Sequence, residues 1–287
     1  NPQGSQRIQC RNCKKVWTPK KYQKEITHPQ AIETVQLFIP FQGASAVQKL
    51  YVLVSLDATR GNILHLSTNY TQHQTGDSLR YSYKGNTEPT MHHRDIVQKV
   101  DMREAQFLRR SQFDEIQYGS AVLKRNGKPA ILRRVFTANG LFRILKLRYP
   151  DVKTHIISHE CFLRGAIITA WADQFRQQQG ELWFVEEEIS DSNADTPWHF
   201  KGTTYHGWWQ NQWQRWEQGN NCKMVCLLTG ASLERGANVS LATSRCFITW
   251  LTDQHDFTQS ALLSAGRVTQ MLTSLALKYN ESLTPSC

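Results

Sequence analysis

The sequence predicts an α/β fold, a mixed β-sheet flanked by helices, and three observations carry that reading. Residues 48–56 carry the apolar stretch Leu50-Tyr51-Val52-Leu53-Val54, with Leu56 beyond it, the pattern of a strand buried on both faces. After the turn Thr59-Arg60-Gly61-Asn62, residues 63–67 alternate apolar and polar as a returning strand should. Helical and strand patterns then take turns along residues 137–185, the order that builds a layered sheet with crossover helices.

Taken in order, residues 1–35 are polar and lysine-rich and form a segment distinct from residues 36–287, which make up the main domain. Pro29 and Pro40 punctuate the entry to the first apolar strand. Residues 69–100 are polar, contain Gly76, Gly85 and Pro89, and predict a long loop or insertion. A short helix is expected over 101–112, and strand-like pieces over 121–136 joined by Arg125-Asn126-Gly127. Leu141, Phe142, Ile144, Leu145 and Leu147 give residues 137–148 a helical spacing closed by Pro150. Residues 152–158 predict a strand ending at His159-Glu160, residues 162–175 an apolar helix, and residues 182–185 another strand. An acidic stretch, 186–195, precedes a tryptophan-rich segment near 198–219, where Trp208, Trp209, Trp213 and Trp216 recur at spacings close to one helical face. Residues 224–228 predict a short apolar strand, and 238–253 and 258–278 two closing helices.

Composition narrows the function. Hydrophobic residues are 40% and charged residues 20% of the 287, a globular profile, and no apolar run approaches the roughly 20 residues needed to span a bilayer. No membrane partner is expected. Seven scattered cysteines do not make a disulfide framework, so a reducing cytoplasm is the expected compartment. The net charge of +10 and pI near 9.3 favour a polyanionic partner. Basic clusters lie at Lys14, Lys15, Lys20, Lys21 and Lys24, and again around Lys124, Arg125, Lys128, Arg133 and Arg134. Lys14, Lys15, Arg133 and Arg134 are the candidate phosphate contacts.

Cys10-Arg-Asn-Cys13 is half of a zinc knuckle: two thiolates from one tight turn supply two of the four ligands of a tetrahedral site. The other pair is expected from residues preceding Asn1. From residue 48 the order strand, strand, strand, helix, strand, helix, strand, helix is that of the ribonuclease H-like fold. Metal-dependent phosphodiester chemistry on such a sheet needs carboxylates at the ends of the first and fourth strands and a third from a late helix, so that two Mg2+ or Mn2+ ions are shared. Asp57, Glu160 and Glu234 are the candidates, with Glu186, Glu187 and Glu188 as rivals for the third place. The alternative for Asp57 is a strand-end turn cap, and Glu160 could equally cap the helix it precedes. His159 is a candidate ligand or base beside Asp57. Cys222 and Cys226 have a spacing compatible with metal but lie in an apolar run that suits buried thiols. The tryptophan cluster suits either base stacking or packing.

The run from Gln6 through Cys10-Arg-Asn-Cys13-Lys-Lys-Val-Trp17 resembles the second knuckle of the zinc ribbon in bacterial insertion-sequence transposases, and residues 50–57 resemble the first catalytic strand of their DDE domain. The resemblance implies a DNA-binding protein, a homo-oligomer associated with the nucleoid, that cleaves or transfers DNA strands with Mg2+ or Mn2+ and carries Zn2+ when its ribbon is whole. Such transposases place an aspartate and a small residue after the fourth strand, where this chain has His159-Glu160-Cys161, and only residues 18–47 separate the knuckle from the first expected strand. A non-catalytic DNA-binding regulator or assembly protein derived from that family is therefore the second reading. A protein-interaction scaffold built on the tryptophan-rich segment is the third.

Overall fold

The computed structural model describes residues 8–9, 16–17, 28–43, 46–71, 95–105, 130–190, 196–207, 210–230 and 234–283. Two short strands, β1 (Ile8–Gln9) and β2 (Val16–Trp17), pair antiparallel. The main sheet has eight strands: β3 (Ala31–Gln42), β4 (Val47–Asp57), β5 (Ile63–Thr68), β8 (Thr154–Ser158), β9 (Glu181–Glu188), β10 (His199–His206), β11 (Asn211–Gln218) and β12 (Asn221–Thr229). Their order across the sheet is β10-β11-β12-β9-β8-β3-β4-β5. β3, β8 and β9 run parallel, and every other neighbouring pair is antiparallel. A small ladder joins β6 (Tyr70–Thr71) to β7 (Ala130–Ile131).

Seven helices flank the sheet among the described residues: α1 (residues 96–105), α2 (Arg134–Arg148), α3 (Cys161–Ala170), α4 (Ala172–Arg176), α5 (Ala242–Thr252), α6 (His255–Thr258) and α7 (Ala265–Ser282). In α2, Val135, Ala138, Leu141, Phe142 and Leu145 are buried at the spacing of one helical face. That face, with Leu163, Ala166 and Ile167 of α3 and Ile96 and Val100 of α1, packs on Ile32, Leu53, Ile157 and Phe184 of the sheet. On the opposite face, Val268, Leu272 and Leu275 of α7 and Phe247 and Leu251 of α5 cover Val35, Ile39, Val52 and Val54. Strand β4 is therefore apolar at consecutive positions because alternate side chains enter two different cores.

Two sequence expectations are corrected here. The first strand of the main sheet is β3, within residues 18–47 that the sequence predicts only as a link from the knuckle, so the 48–56 strand is the second of that sheet and runs antiparallel to β3. Pro40 masked β3, yet a proline is tolerated there. β3 pairs with β8 only from Ala31 to Thr34, and Pro40 lies in the part with β4 alone beside it. The tryptophan-rich segment is the meander β10-β11-β12 and not a helix. Trp213 and Trp216 fall on opposite faces of β11. The hairpin signal in the sequence is the two-residue turn Gly219-Asn220, where Gly219 adopts φ +57° between the paired Gln218 and Asn221. The strand pieces expected over 121–129 and most of the 69–100 insertion lie outside the described residues. No helix among the described residues is long and apolar enough to cross a membrane.

Candidate functional site

Parallel strands deliver their carboxyl ends to one edge of a sheet, and the loops leaving them in different directions open a crevice there. In this protein that crevice is a cleft of about 320 Å³. Its floor is Val35, Gln36 and Phe38 of β3, Ser158 of β8, and Val185, Glu186 and Glu187 of β9. Arg103 of α1 closes one side, and Ser244, Arg245 and Ile248 of α5 the other.

The acidic groups around the cleft are matched by the protein's own donors. Glu186 receives Lys99 Nζ at 3.0 Å and Arg103 Nε at 3.4 Å. Glu187 is bonded by the Arg245 guanidinium and accepts the Leu241 N–H at 3.0 Å. Glu33, 3% exposed, accepts the N–H and the hydroxyl of Ser244 in the first turn of α5. Burial raises the Glu33 pKa above its ordinary value, against the hydrogen bonds from Ser244 and Thr243. Two polar atoms in the cleft lack a counterpart: Gln36 Oε1 and Ser158 Oγ are screened from solvent with no hydrogen-bond partner among the described residues.

Behind the cleft, α1 is tied to the sheet by a buried pair. His159 Nε2 lies 3.1 Å from Glu104 Oε1, and Asn211 Nδ2 donates to the same carboxylate at 3.3 Å. The His159 ring packs between Phe184 and Trp213, each 4.8 Å away by centroid. Lys223, fully buried on β12, donates to the carbonyls of Ala237 and Val239 at 2.6 and 2.7 Å and sits 4.6 Å from the Trp198 ring. Burial drops its pKa to about 8, against the pull of Glu187.

The expected catalytic carboxylates are not brought together. Asp57 pairs in register with Ile32, and Ile32 with His155, so Asp57 stands at the amino end of β8. Glu160 follows the carboxyl end of the same strand. Glu160 is five positions beyond His155, about 16 Å of extended chain, so the two acids cannot share an ion. The cause is the extra strand β3: Asp57 ends a strand antiparallel to β8 rather than parallel to it. Asp57, 2% exposed, accepts the N–H groups of Thr59 and Arg60 at 2.9 and 3.2 Å, closing the turn to β5. Glu160 occupies the N-cap position of α3 without a side-chain capping bond. Glu234 begins a short 3-10 turn, Glu234–Asn238, and its side chain lies outside what is described. Cys10, Cys13, Lys14 and Lys15 are also outside the described residues.

Arg133 sits at the N-cap position of α2. Arg134 is 8% exposed, with its guanidinium 4.3 Å above the Phe38 ring and 5.3 Å from Tyr51. His159 reaches Glu104 rather than Asp57. Burial raises the thiol pKa of both Cys222, to about 11, and Cys226, so both stay protonated at neutral pH. Trp208 and Trp209 are outside the described residues, while Trp213 is core.

Among the described residues no three His, Cys, Asp or Glu side chains converge. Asp57 and Glu160 do not fit a shared divalent cation. Sequence reasoning missed Glu33, Gln36, Ser244 and Arg245. Once β3 is recognised as a strand, Glu33 stands out as its one acid among apolar neighbours. Comparison with family models, with curated proteins and with solved structures finds no match.

Proposed function

We propose that this chain is a DNA-binding protein of ribonuclease H-like architecture, derived from an insertion-sequence transposase, that holds DNA without cutting it. Support for the architecture is the strand order β5-β4-β3-β8-β9, three antiparallel strands followed by two parallel to β3, with helices between. The net charge of +10 supports the partner, and Arg143 and Arg148 stand exposed on α2. In sequence Cys10 and Cys13 lie between the residues of β1 and β2, and they would supply two of the four ligands to Zn2+.

One observation carries the non-catalytic reading. The late helix α5, whose sequence contains no Asp or Glu, brings Ser244 and Arg245 to the cleft where a third carboxylate would have to stand, and the acid of β3, Glu33, is spent on capping that helix. The test is to measure duplex binding against salt, alongside nicking and strand transfer with Mg2+ or Mn2+. Binding should weaken linearly on a logarithmic salt plot, and replacing Arg143 and Arg148 with alanine should reduce the slope by about 2. Neither metal should support cleavage. Metal-dependent nicking would restore the enzyme reading, and binding indifferent to salt would favour a protein-interaction scaffold.

A further inference from the structure

We propose that the cleft at the carboxyl ends of β3, β8 and β9 is a pocket for one unpaired nucleobase. This rests on the DNA-binding reading for the source of the base, but its chemistry comes from the cleft alone.

Size sets the first limit. A volume of about 320 Å³ lies at the low end of the roughly 300–1,000 Å³ typical of small-ligand sites. It admits a single ring system and excludes a duplex. Apolar side chains line much of it, Val35, Phe38 and Val185 from the sheet and Leu241 and Ile248 from the α5 segment. Such walls suit the faces of a flat, poorly hydrated ring.

Electrostatics then separates base from phosphate. Arg103 and Arg245 line the cleft, but each is matched by a carboxylate that lines it too, Glu186 and Glu187. The charges nearly cancel, so the cleft offers a phosphate little net attraction. What remains unsatisfied is uncharged: the amide oxygen of Gln36 and the hydroxyl of Ser158, both buried and both without a partner among the described residues. They come from adjacent strands, since Thr34 pairs with Ile157 and Ser158 is the next residue along β8. Desolvated polar atoms without partners are costly in a folded protein and mark a place where another molecule completes the bonding. A glutamine amide presents an acceptor beside a donor, the complement of the adjacent donor and acceptor on a base edge. A base reaches such a pocket only when it is out of the stack, either in a single strand, at a bulge, or as a free nucleoside.

The experiment uses the full chain and a duplex carrying one unpaired fluorescent purine analogue, compared with the same duplex fully paired. The unpaired form should bind about tenfold more tightly, a difference near 1.4 kcal/mol, and its fluorescence should change on binding. Gln36→Leu should remove the preference, as should Ile248→Trp, which fills the cleft from the half-buried face of α5. Binding of the paired duplex should survive in both variants, which also shows that they are folded. Equal affinity for the two duplexes, or a preference that persists in both variants, overturns the pocket. If neither duplex binds, the DNA reading fails and the free nucleoside analogue decides. Fluorescence changes that Ile248→Trp abolishes support a nucleoside pocket, and none with wild-type protein overturns it.

Discussion

The carboxylate of Glu33 accepts two hydrogen bonds from Ser244, one from its backbone N–H at 2.8 Å and one from its hydroxyl at 2.9 Å, although 211 residues separate them. A strand in the middle of the sheet thus caps the first turn of α5, whose N-cap residue, Leu241, makes no side-chain capping bond. The bond fixes where α5 crosses the sheet, and with it the position of Arg245 and Ile248 in the cleft.

Glu33→Gln should make the protein more stable at neutral and alkaline pH. Burial holds the Glu33 pKa above its ordinary value, so the folded state keeps its proton to higher pH than the unfolded chain. Stability then falls as pH rises through the window between the two values and stays lower above it. Glutamine preserves an acceptor for Ser244 and cannot ionise. Thermal unfolding followed across pH should show the variant close to wild type at about pH 4 and ahead of it at about pH 8. A less stable variant at the higher pH would mean the ionised carboxylate is the better cap.

His155→Leu should move acid unfolding to lower pH. His155 is 1% exposed, lies 4.3 Å from the Trp171 ring and 6.1 Å from Phe175, and has no hydrogen-bond partner for either ring nitrogen among the described residues. Burial, helped by Lys146, lowers its pKa to about 3. The unfolded chain takes up that proton near pH 6.5 and the folded chain does not. Wild-type stability is therefore fully present above about pH 6.5 and drops by about 1.4 kcal/mol per pH unit down to the folded value. Leucine removes this slope. An unchanged acid midpoint would show that the ring is protonated in the folded state.

Trp213→Ala should cost about 3–5 kcal/mol of stability, the usual range for emptying a large aromatic site. Trp213 is fully buried, stacked at 8° and 6.2 Å on Phe184 and packed on His159. Its loss also strips the cover from the His159–Glu104 pair. DNA affinity measured on protein that remains folded should not change. A loss of binding with stability intact would assign Trp213 to base stacking instead.

The candidate site was only partly legible in the sequence. Ser158, His159 and Glu160 were placed correctly at the end of a strand because the β-branched residues Val152, Thr154, Ile156 and Ile157 lie between a proline and an apolar helix. Asp57 was also placed correctly at a strand end, but a strand end has no side until its neighbours are known. Whether Asp57 meets Glu160 depends on strand direction, and β4 runs opposite to β8. Glu33 was missed because Pro40 and the polar Gln36 broke the apolar pattern of β3, which tolerates both where it lacks a second neighbour.

By itself the sequence determined the α/β class, the helices α2, α3, α5 and α7, and the buried strands β4 and β8, because periodic burial of apolar side chains is a local property written into residue spacing. It determined the basic charge as well. Only the tertiary structure decided which carboxylates meet. Register, strand direction and helix docking set distances between residues far apart in the chain, as they bring Ser244 to Glu33, Arg245 to Glu187 and His159 to Glu104. These pairings give the acids their hydrogen-bond donors, and no spacing within either partner's own segment encodes them.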